Sequence, residues 1–236
     1  MKREIRLLAV GVLAALGLTS CDDGKIYDEG SVVPEEGYTL LFSGEVSGTD
    51  SWPEGYTVSV AGFGDSEYAL ISKPVVGTSD GSRIEVTLSG ISDEVKTIEL
   101  CVLNRLRRKM VTFASTAASA DSEGVITLTT GSVDAKMYDV LQKYVFDASC
   151  IQCHGGSSFS AAGLNLTDGK SYAMLVNVES RKKPGILRVS PGNGEGSVLW
   201  QVLGTDLTGD WAYKHNSILT SPTVDMIKSW IDSGIK

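Results

Sequence analysis

The run Ile84-Glu85-Val86-Thr87-Leu88 alternates apolar and polar side chains over five consecutive residues. A period of two is typical of a β-strand that has one buried face and one solvated face. Similar short runs recur between turn sequences such as Ser79-Asp80-Gly81. The strands predicted in this way are 38–46, 56–62, 68–75, 83–88, 96–103, 110–114 and 125–129. Residues 38–131 are therefore expected to form β-structure.

The spacing of these strands is typical of two packed sheets. Seven short strands within about 95 residues, with no long helical pattern among them, predict an antiparallel β-sandwich of the immunoglobulin-like type at residues 38–131. Cys101 lies in an apolar run of this region, which predicts a buried side chain outside any disulfide framework. Trp52 lies in a predicted loop, where an exposed indole could bind a glycan, although such a side chain more often packs against its own turn.

The pattern changes near Ser132 to a helical spacing. Apolar residues recur at helical intervals just before Cys150, at Met137, Val140, Leu141, Tyr144 and Val145. A second helix is predicted at 221–234, because Ser221 and Pro222 suit its start and Gly234 suits its end. Shorter helices are predicted at 171–176 and 197–203. We therefore predict that an all-α domain occupies residues 132–236.

The first twenty residues have the features of an export signal. Basic residues precede an apolar run at 7–18, which is too short for a membrane-spanning helix. The run ends Leu18-Thr19-Ser20-Cys21, which resembles a bacterial lipobox, although an uncleaved anchor with an incidental cysteine is the alternative. We predict a lipoprotein signal peptide at 1–20, lipidation of Cys21, and a flexible tether at 21–37.

The charge and the lipid signal limit which partners and which locations can be expected. Removal of residues 1–20 takes away three basic residues and one acidic residue, so the formal charge changes from −8 to −10. An acidic chain repels phosphate backbones, which disfavours nucleic acid as a partner. We expect a bacterial envelope protein that is held to a membrane through Cys21, on its periplasmic or cell-surface face. The pair Asp22-Asp23 is compatible with either face.

The run Cys150-Ile151-Gln152-Cys153-His154 places two thiols two residues apart and a histidine directly after the second thiol. This spacing suits covalent attachment of a c-type haem, in which both thiols form thioethers and the histidine binds the iron. We predict one haem c on Cys150 and Cys153, with His154 as the proximal ligand. One alternative is a redox dithiol, which is expected within a βαβ unit. Another is part of a zinc site, which needs about four ligands.

Residues from about Tyr138 onward resemble bacterial class I cytochrome c domains. The segments that carry the resemblance are 150–156, 162–166, 172–178, 188–192, 197–200 and 227–234. The resemblance covers roughly the last 100 residues and none of the β region. It implies a fold in which the helix before the CxxCH motif crosses the last helix and encloses the haem.

The resemblance also implies a distal methionine shortly before the last helix, and this sequence lacks one there. The loop at 209–217 contains His215, one of only two histidines in the chain. We therefore predict that His154 and His215 bind the iron from opposite sides. Met174 and Met226 are weaker ligand candidates, because each lies in a helical apolar pattern that predicts a core position.

These features favour single-electron transfer to a redox protein partner over catalysis on a substrate, because no catalytic constellation accompanies the motif. One alternative is a haem enzyme or ligand sensor with an open distal site, which requires that His215 does not bind iron. Another is a surface binding lipoprotein that acts through the β region, for which Trp52 would be the natural contact.

Overall fold

Several of the seven strands form where the sequence alternates, because period-two runs between turn residues can pair while burying one face. The computed structural model describes residues 37–156, 160–205, 207 and 213–235. The strands are β1 (Tyr38–Ser47), β2 (Tyr56–Phe63), β3 (Ala69–Pro74), β4 (Arg83–Ile91), β5 (Thr97–Asn104), β6 (Lys109–Ala117) and β7 (Val125–Asp134). All seven predicted strands are confirmed. The signal peptide, Cys21 and nearly all of the tether lie outside the described residues.

The strands form two sheets, with the orders β4-β1-β7 and β3-β2-β5-β6. The four-stranded sheet is antiparallel throughout. In the three-stranded sheet β1 pairs with β4 antiparallel, but it pairs with β7 in parallel, from Thr39 opposite Val125 to Ser47 opposite Asp134. The prediction of a purely antiparallel immunoglobulin-like sandwich is therefore wrong. The alternation of side chains is the same in both kinds of pair, so it does not encode strand direction.

The inward side chains of both sheets belong to one apolar core, which includes Phe42 of β1 and Val60 of β2. A smaller cluster lies around β2 and β5, whose residues are buried on both faces. Cys101 is in this cluster and is completely buried, as predicted. Burial raises the pKa of its thiol to about 12, so it behaves as a small apolar side chain.

Short helices follow the strands, at the places where helical spacing predicts them. They are α1 (Met137–Leu141), a π-helix (Gln142–Cys150), α2 (Ile151–His154), α3 (Ser171–Leu175), α4 (Val198–Gly204) and α5 (Ser221–Asp232). Thr220, rather than Ser221, is the N-cap of α5, and Pro222 lies in its first turn. No helix among the described residues is long and apolar enough to cross a membrane.

The predicted all-α cytochrome c domain at residues 132–236 is wrong as a description of the fold. The protein is mostly β, with two sheets and only short helices that make up 27% of it. Between α3 and α4 the chain contains isolated bridges, Val176 with Val189 and Glu179 with Leu187. Pro184, Gly185, Pro191 and Gly192 lie in or beside this stretch and interrupt helical backbone. Helical spacing over one or two turns does not distinguish a short helix in irregular chain from a helical layer.

The turn between β1 and β2 is joined to the start of α1. The Trp52 indole Nε1 donates to the Ala135 carbonyl at 2.7 Å, and the Met137 N–H donates to Ser51 Oγ at 2.8 Å. Ala135 and Met137 are buried in the same core as the inward residues of the sheets. Residues 36–236 accordingly belong to one compact unit.

Candidate functional site

A continuous helical segment from Met137 to His154 presents the CxxCH motif. Its middle is a π-helix, in which the Ile151 N–H donates to the carbonyl of Phe146, five residues earlier. Such wide turns are rare in proteins, and those that are found often lie at functional sites. Cys150 is half-buried and its Sγ lies 3.8 Å from the Val145 carbonyl, whereas Cys153 is exposed. The segment thus places both thiols and His154 along the wall of a cavity.

The cavity has a volume of about 510 Å³, which lies in the range of sites for drug-sized ligands and cofactors. Cys150, Cys153, His154 and His215 all line it. Much of the remaining wall is apolar, including Phe146, Leu166, Leu175, Val198, Leu203 and Ile227. The structure therefore brings the predicted haem-binding residues together in one apolar cavity.

His154 is oriented by the turn that follows it in the chain. Its Nδ1 lies 3.0 Å from the carbonyl of Ala161, in a short 3-10 turn at Ala161–Gly163. A carbonyl only accepts, so this contact fixes the tautomer in which Nδ1 carries the proton and Nε2 carries the lone pair. Metal-binding histidines commonly have this arrangement.

His215 is oriented in the same way. It begins the 3-10 turn His215–Ser217, and its Nδ1 lies 2.9 Å from the carbonyl of Tyr213. Burial lowers the pKa of His215, the hydrogen bond to Tyr213 opposes this effect, and the nearby His154 lowers the pKa further. A lowered pKa favours the neutral imidazole, which is the form that binds metals.

The two imidazoles lie close together at the cavity, and the distance between their centroids can be compared with that of two ligands of one metal ion. Their ring centroids are 6.2 Å apart and their planes are inclined by 32°. A metal–imidazole bond is about 2 Å long and the centroid lies roughly 1 Å beyond the nitrogen, so two ligands on opposite sides of one ion have centroids roughly 6 Å apart. The distance between the rings of His154 and His215 is therefore compatible with both imidazoles holding one iron.

The state of the thiols distinguishes the chemical alternatives. Burial raises the pKa of Cys150 to about 11, and the neighbouring Cys153 contributes to the same shift. Redox dithiols have a thiol whose pKa is lowered, so this environment disfavours disulfide exchange. Among the described residues, no group of three or more His, Cys, Asp or Glu side chains is arranged to hold a metal ion.

The other ligand candidates do not line the cavity. Met226 is buried in the core, as its helical pattern predicts, whereas the expectation that Met174 is also a core residue is wrong, since its side chain is 36% exposed. Trp52 is half-buried and packs against Tyr56, with ring centroids 6.0 Å apart. Together with its hydrogen bond to Ala135, this packing makes Trp52 part of the framework.

Sequence reasoning missed the cationic residues of the cavity, which are Arg181, Lys182 and Arg188. Arg188 is 8% exposed and its Nη1 donates to the Met174 carbonyl at 2.8 Å. Burial lowers the pKa of the Arg188 guanidinium, and the positive charge of Arg181 lowers it further. The run Arg181-Lys182-Lys183 in an acidic chain is the signal that could have directed attention to this region.

Comparisons with protein-family models, with curated proteins and with solved structures gave no match. The functional argument therefore depends on the chemistry and the geometry of the cavity.

Proposed function

We propose that this protein is a monohaem c-type cytochrome, with the haem attached through Cys150 and Cys153, that transfers single electrons to a redox protein partner. The observation that carries the proposal is that the CxxCH thiols, His154 and His215 line one cavity, with the centroids of the two imidazoles 6.2 Å apart. When bound, the haem supplies a one-electron iron couple whose potential depends on its axial ligands and surroundings.

The protein residues have separate tasks in this proposal. Cys150 and Cys153 hold the group covalently, so that it cannot dissociate from a small core. Ala161 and Tyr213 fix the rings of His154 and His215 through their carbonyls, so both ligands are already oriented. Two imidazole ligands favour a lower potential than a histidine–methionine pair, because a thioether stabilises ferrous iron more strongly.

The apolar wall supports electron transfer rather than catalysis on a substrate. Side chains such as Phe146, Leu166 and Ile227 line the cavity, and the hydrophobic surroundings of a site help to set its redox potential. An enzyme or ligand sensor would need an open position at the iron, and the proximity of His215 to His154 argues against one. The hydrogen-bonded, packed indole of Trp52 likewise gives little support for a glycan-binding role of the β region.

Envelope location and membrane attachment through a lipid on Cys21 are part of the same proposal, and their support is the sequence at residues 1–21. Haem attachment outside the cytoplasm and a lipoprotein signal are consistent with each other. Mass spectrometry of the protein from a membrane fraction tests the lipid, and a Cys21→Ser variant should be released without it.

The central test is the intact mass and the pyridine haemochrome spectrum of the protein made together with a haem-attachment system. We expect one haem per chain and loss of covalent haem in Cys150→Ala and Cys153→Ala double variants. Cys101→Ala is the matched control, because Cys101 is buried outside the cavity and should not affect attachment. A haem-free mass for the wild-type chain would overturn the proposal.

A further inference from the structure

The cavity contains an excess of positive charge that the CxxCH motif does not explain. Arg181, Lys182 and Arg188 line it, and no acidic residue of the described part of the chain does. This is the reverse of the whole protein, which has a formal charge of −8. Positive charge is therefore concentrated at the cavity against the overall balance of the chain.

Arg188 is the most informative of these residues, because it is 92% buried and no carboxylate of the described residues pairs with it. Only its Nη1 has a hydrogen-bond acceptor within the described residues, the Met174 carbonyl. No carboxylate of the described residues lies within ion-pair distance of its guanidinium. An unpaired buried cation is costly, and a guanidinium has five N–H donors, so Arg188 can still bind an anion from the cavity.

Arg181 lies at the same wall and is positioned by a glycine. A Cβ added at Gly163 would collide with the Arg181 guanidinium, and Gly163 has a left-handed φ of 61° that also favours glycine. Gly163 belongs to the turn whose Ala161 carbonyl orients His154. The guanidinium of Arg181 therefore lies against the turn that holds the proximal ligand.

We propose that Arg188 and Arg181 bind the propionate carboxylates of the haem. This inference depends on the proposed function, since it assigns a role to chain residues toward the same group. A guanidinium binds a carboxylate through two parallel N–H···O bonds, and such charge-assisted bonds are strong in a low-dielectric site. The pairing would remove the cost of burying Arg188 and would fix the orientation of the ring plane independently of the thioethers.

The test uses the haem-loaded protein and Arg188→Gln, Arg181→Gln and Arg105→Gln variants. Arg105 is exposed in the hairpin between β5 and β6 and does not line the cavity, so its variant is a control for the loss of one positive charge. Haem content is measured by haemochrome, the propionate contacts by the propionate bending bands in resonance Raman spectra, and the midpoint potential by spectroelectrochemistry.

We expect one haem per chain in all three variants, because attachment depends on Cys150 and Cys153. Arg188→Gln should shift a propionate band and make the midpoint potential more negative, since removing a nearby cation favours ferric iron. Arg181→Gln should do so to a smaller extent because Arg181 is exposed to solvent, and Arg105→Gln should change neither quantity.

If Arg188→Gln does not fold, Arg181→Gln and the charge-preserving Arg188→Lys provide the same readouts. Unshifted propionate bands in a loaded Arg181→Gln or Arg188→Gln protein would overturn the propionate assignment while leaving haem attachment intact. A wild-type protein without haem would overturn the proposed function and this inference together.

Discussion

The β region and the chain after β7 share one apolar core but differ in how their interiors are filled. The side chains of the two sheets fill their own interior, with residues such as Phe42 and Val60 almost fully buried. The chain after β7 instead surrounds a cavity of about 510 Å³. Close packing of side chains is the norm for a protein interior. This difference supports the proposal that a bound group completes the chain after β7, whereas side chains alone fill the space between the sheets.

A core substitution in the sheets tests the first half of this comparison and should have the largest effect. Phe42→Ala removes a 1%-exposed aromatic side chain and should lower the free energy of unfolding by about 3–5 kcal/mol. The neighbouring Leu41→Ala removes a side chain that is 46% exposed and should cost well under about 1 kcal/mol. Urea unfolding of both variants, with and without haem, measures the costs. Similar values for the two variants would contradict the assignment of the core.

Removal of the haem tests whether a bound group completes the chain after β7. In a Cys150→Ala, Cys153→Ala double variant made without haem, the amides of α2 and α4 should exchange with solvent through low-energy local openings, because their helices line the cavity. The amides of β2 and β5 should keep most of their protection. Hydrogen exchange followed by mass spectrometry compares this protein with the loaded wild type. Equal protection of α2 and α4 in the two proteins would show that the segment needs no bound group.

Replacement of His215 tests whether the turn at His215–Ser217 supplies the second iron ligand in the cavity. In loaded His215→Ala the ferric haem should change from low spin to high spin, and carbon monoxide should bind the ferrous form faster. Low-temperature EPR and stopped-flow mixing measure these two changes. Loaded His215→Met, which offers a thioether, should remain low spin and gain a near-infrared charge-transfer band. A low-spin spectrum for His215→Ala that matches the wild type would exclude His215 as a ligand.

The smallest effect is expected where the two regions meet. Trp52→Phe keeps an aromatic ring but removes the donor to the Ala135 carbonyl, which should lower the free energy of unfolding by about 1 kcal/mol. Trp200→Phe is a suitable control, because it makes the same change at a half-buried indole that donates no hydrogen bond to another described residue. If thermal unfolding gives equal costs for both variants, the hydrogen bond contributes nothing measurable at this junction.

The two regions also differ in how far the sequence predicts them. Strands such as β4 and helices such as α5 follow from local periodicity and capping, which neighbouring residues determine. The parallel pairing of β1 and β7 does not, because it joins residues that are far apart in the chain and leaves no mark on the alternation. The all-α prediction was wrong because single helical turns were extended into a layer.

The residues of the candidate site also differ in whether the sequence predicts them. The CxxCH motif is a local pattern, so the sequence predicts it directly. The sequence also points to His215, because this histidine lies in the loop where the expected methionine is lacking. Arg188 could not be found in this way, because its importance comes from burial beside Arg181 and from the absence of a carboxylate near it among the described residues. Burial and pairing are properties of the folded chain and are not encoded by any short pattern.

The bonds between the β1–β2 turn and the start of α1 have a consequence for how this protein can be cut or rebuilt. A fragment that began at residue 132 would lack both Trp52 and Ser51, and would leave the Ala135 carbonyl and the Met137 N–H without their present partners. The CxxCH segment is therefore not a portable module with the sheets as a detachable stalk. A graft into another protein would have to include the turn at Thr49–Ser51, the Trp52 that follows it and the strands that hold them in place.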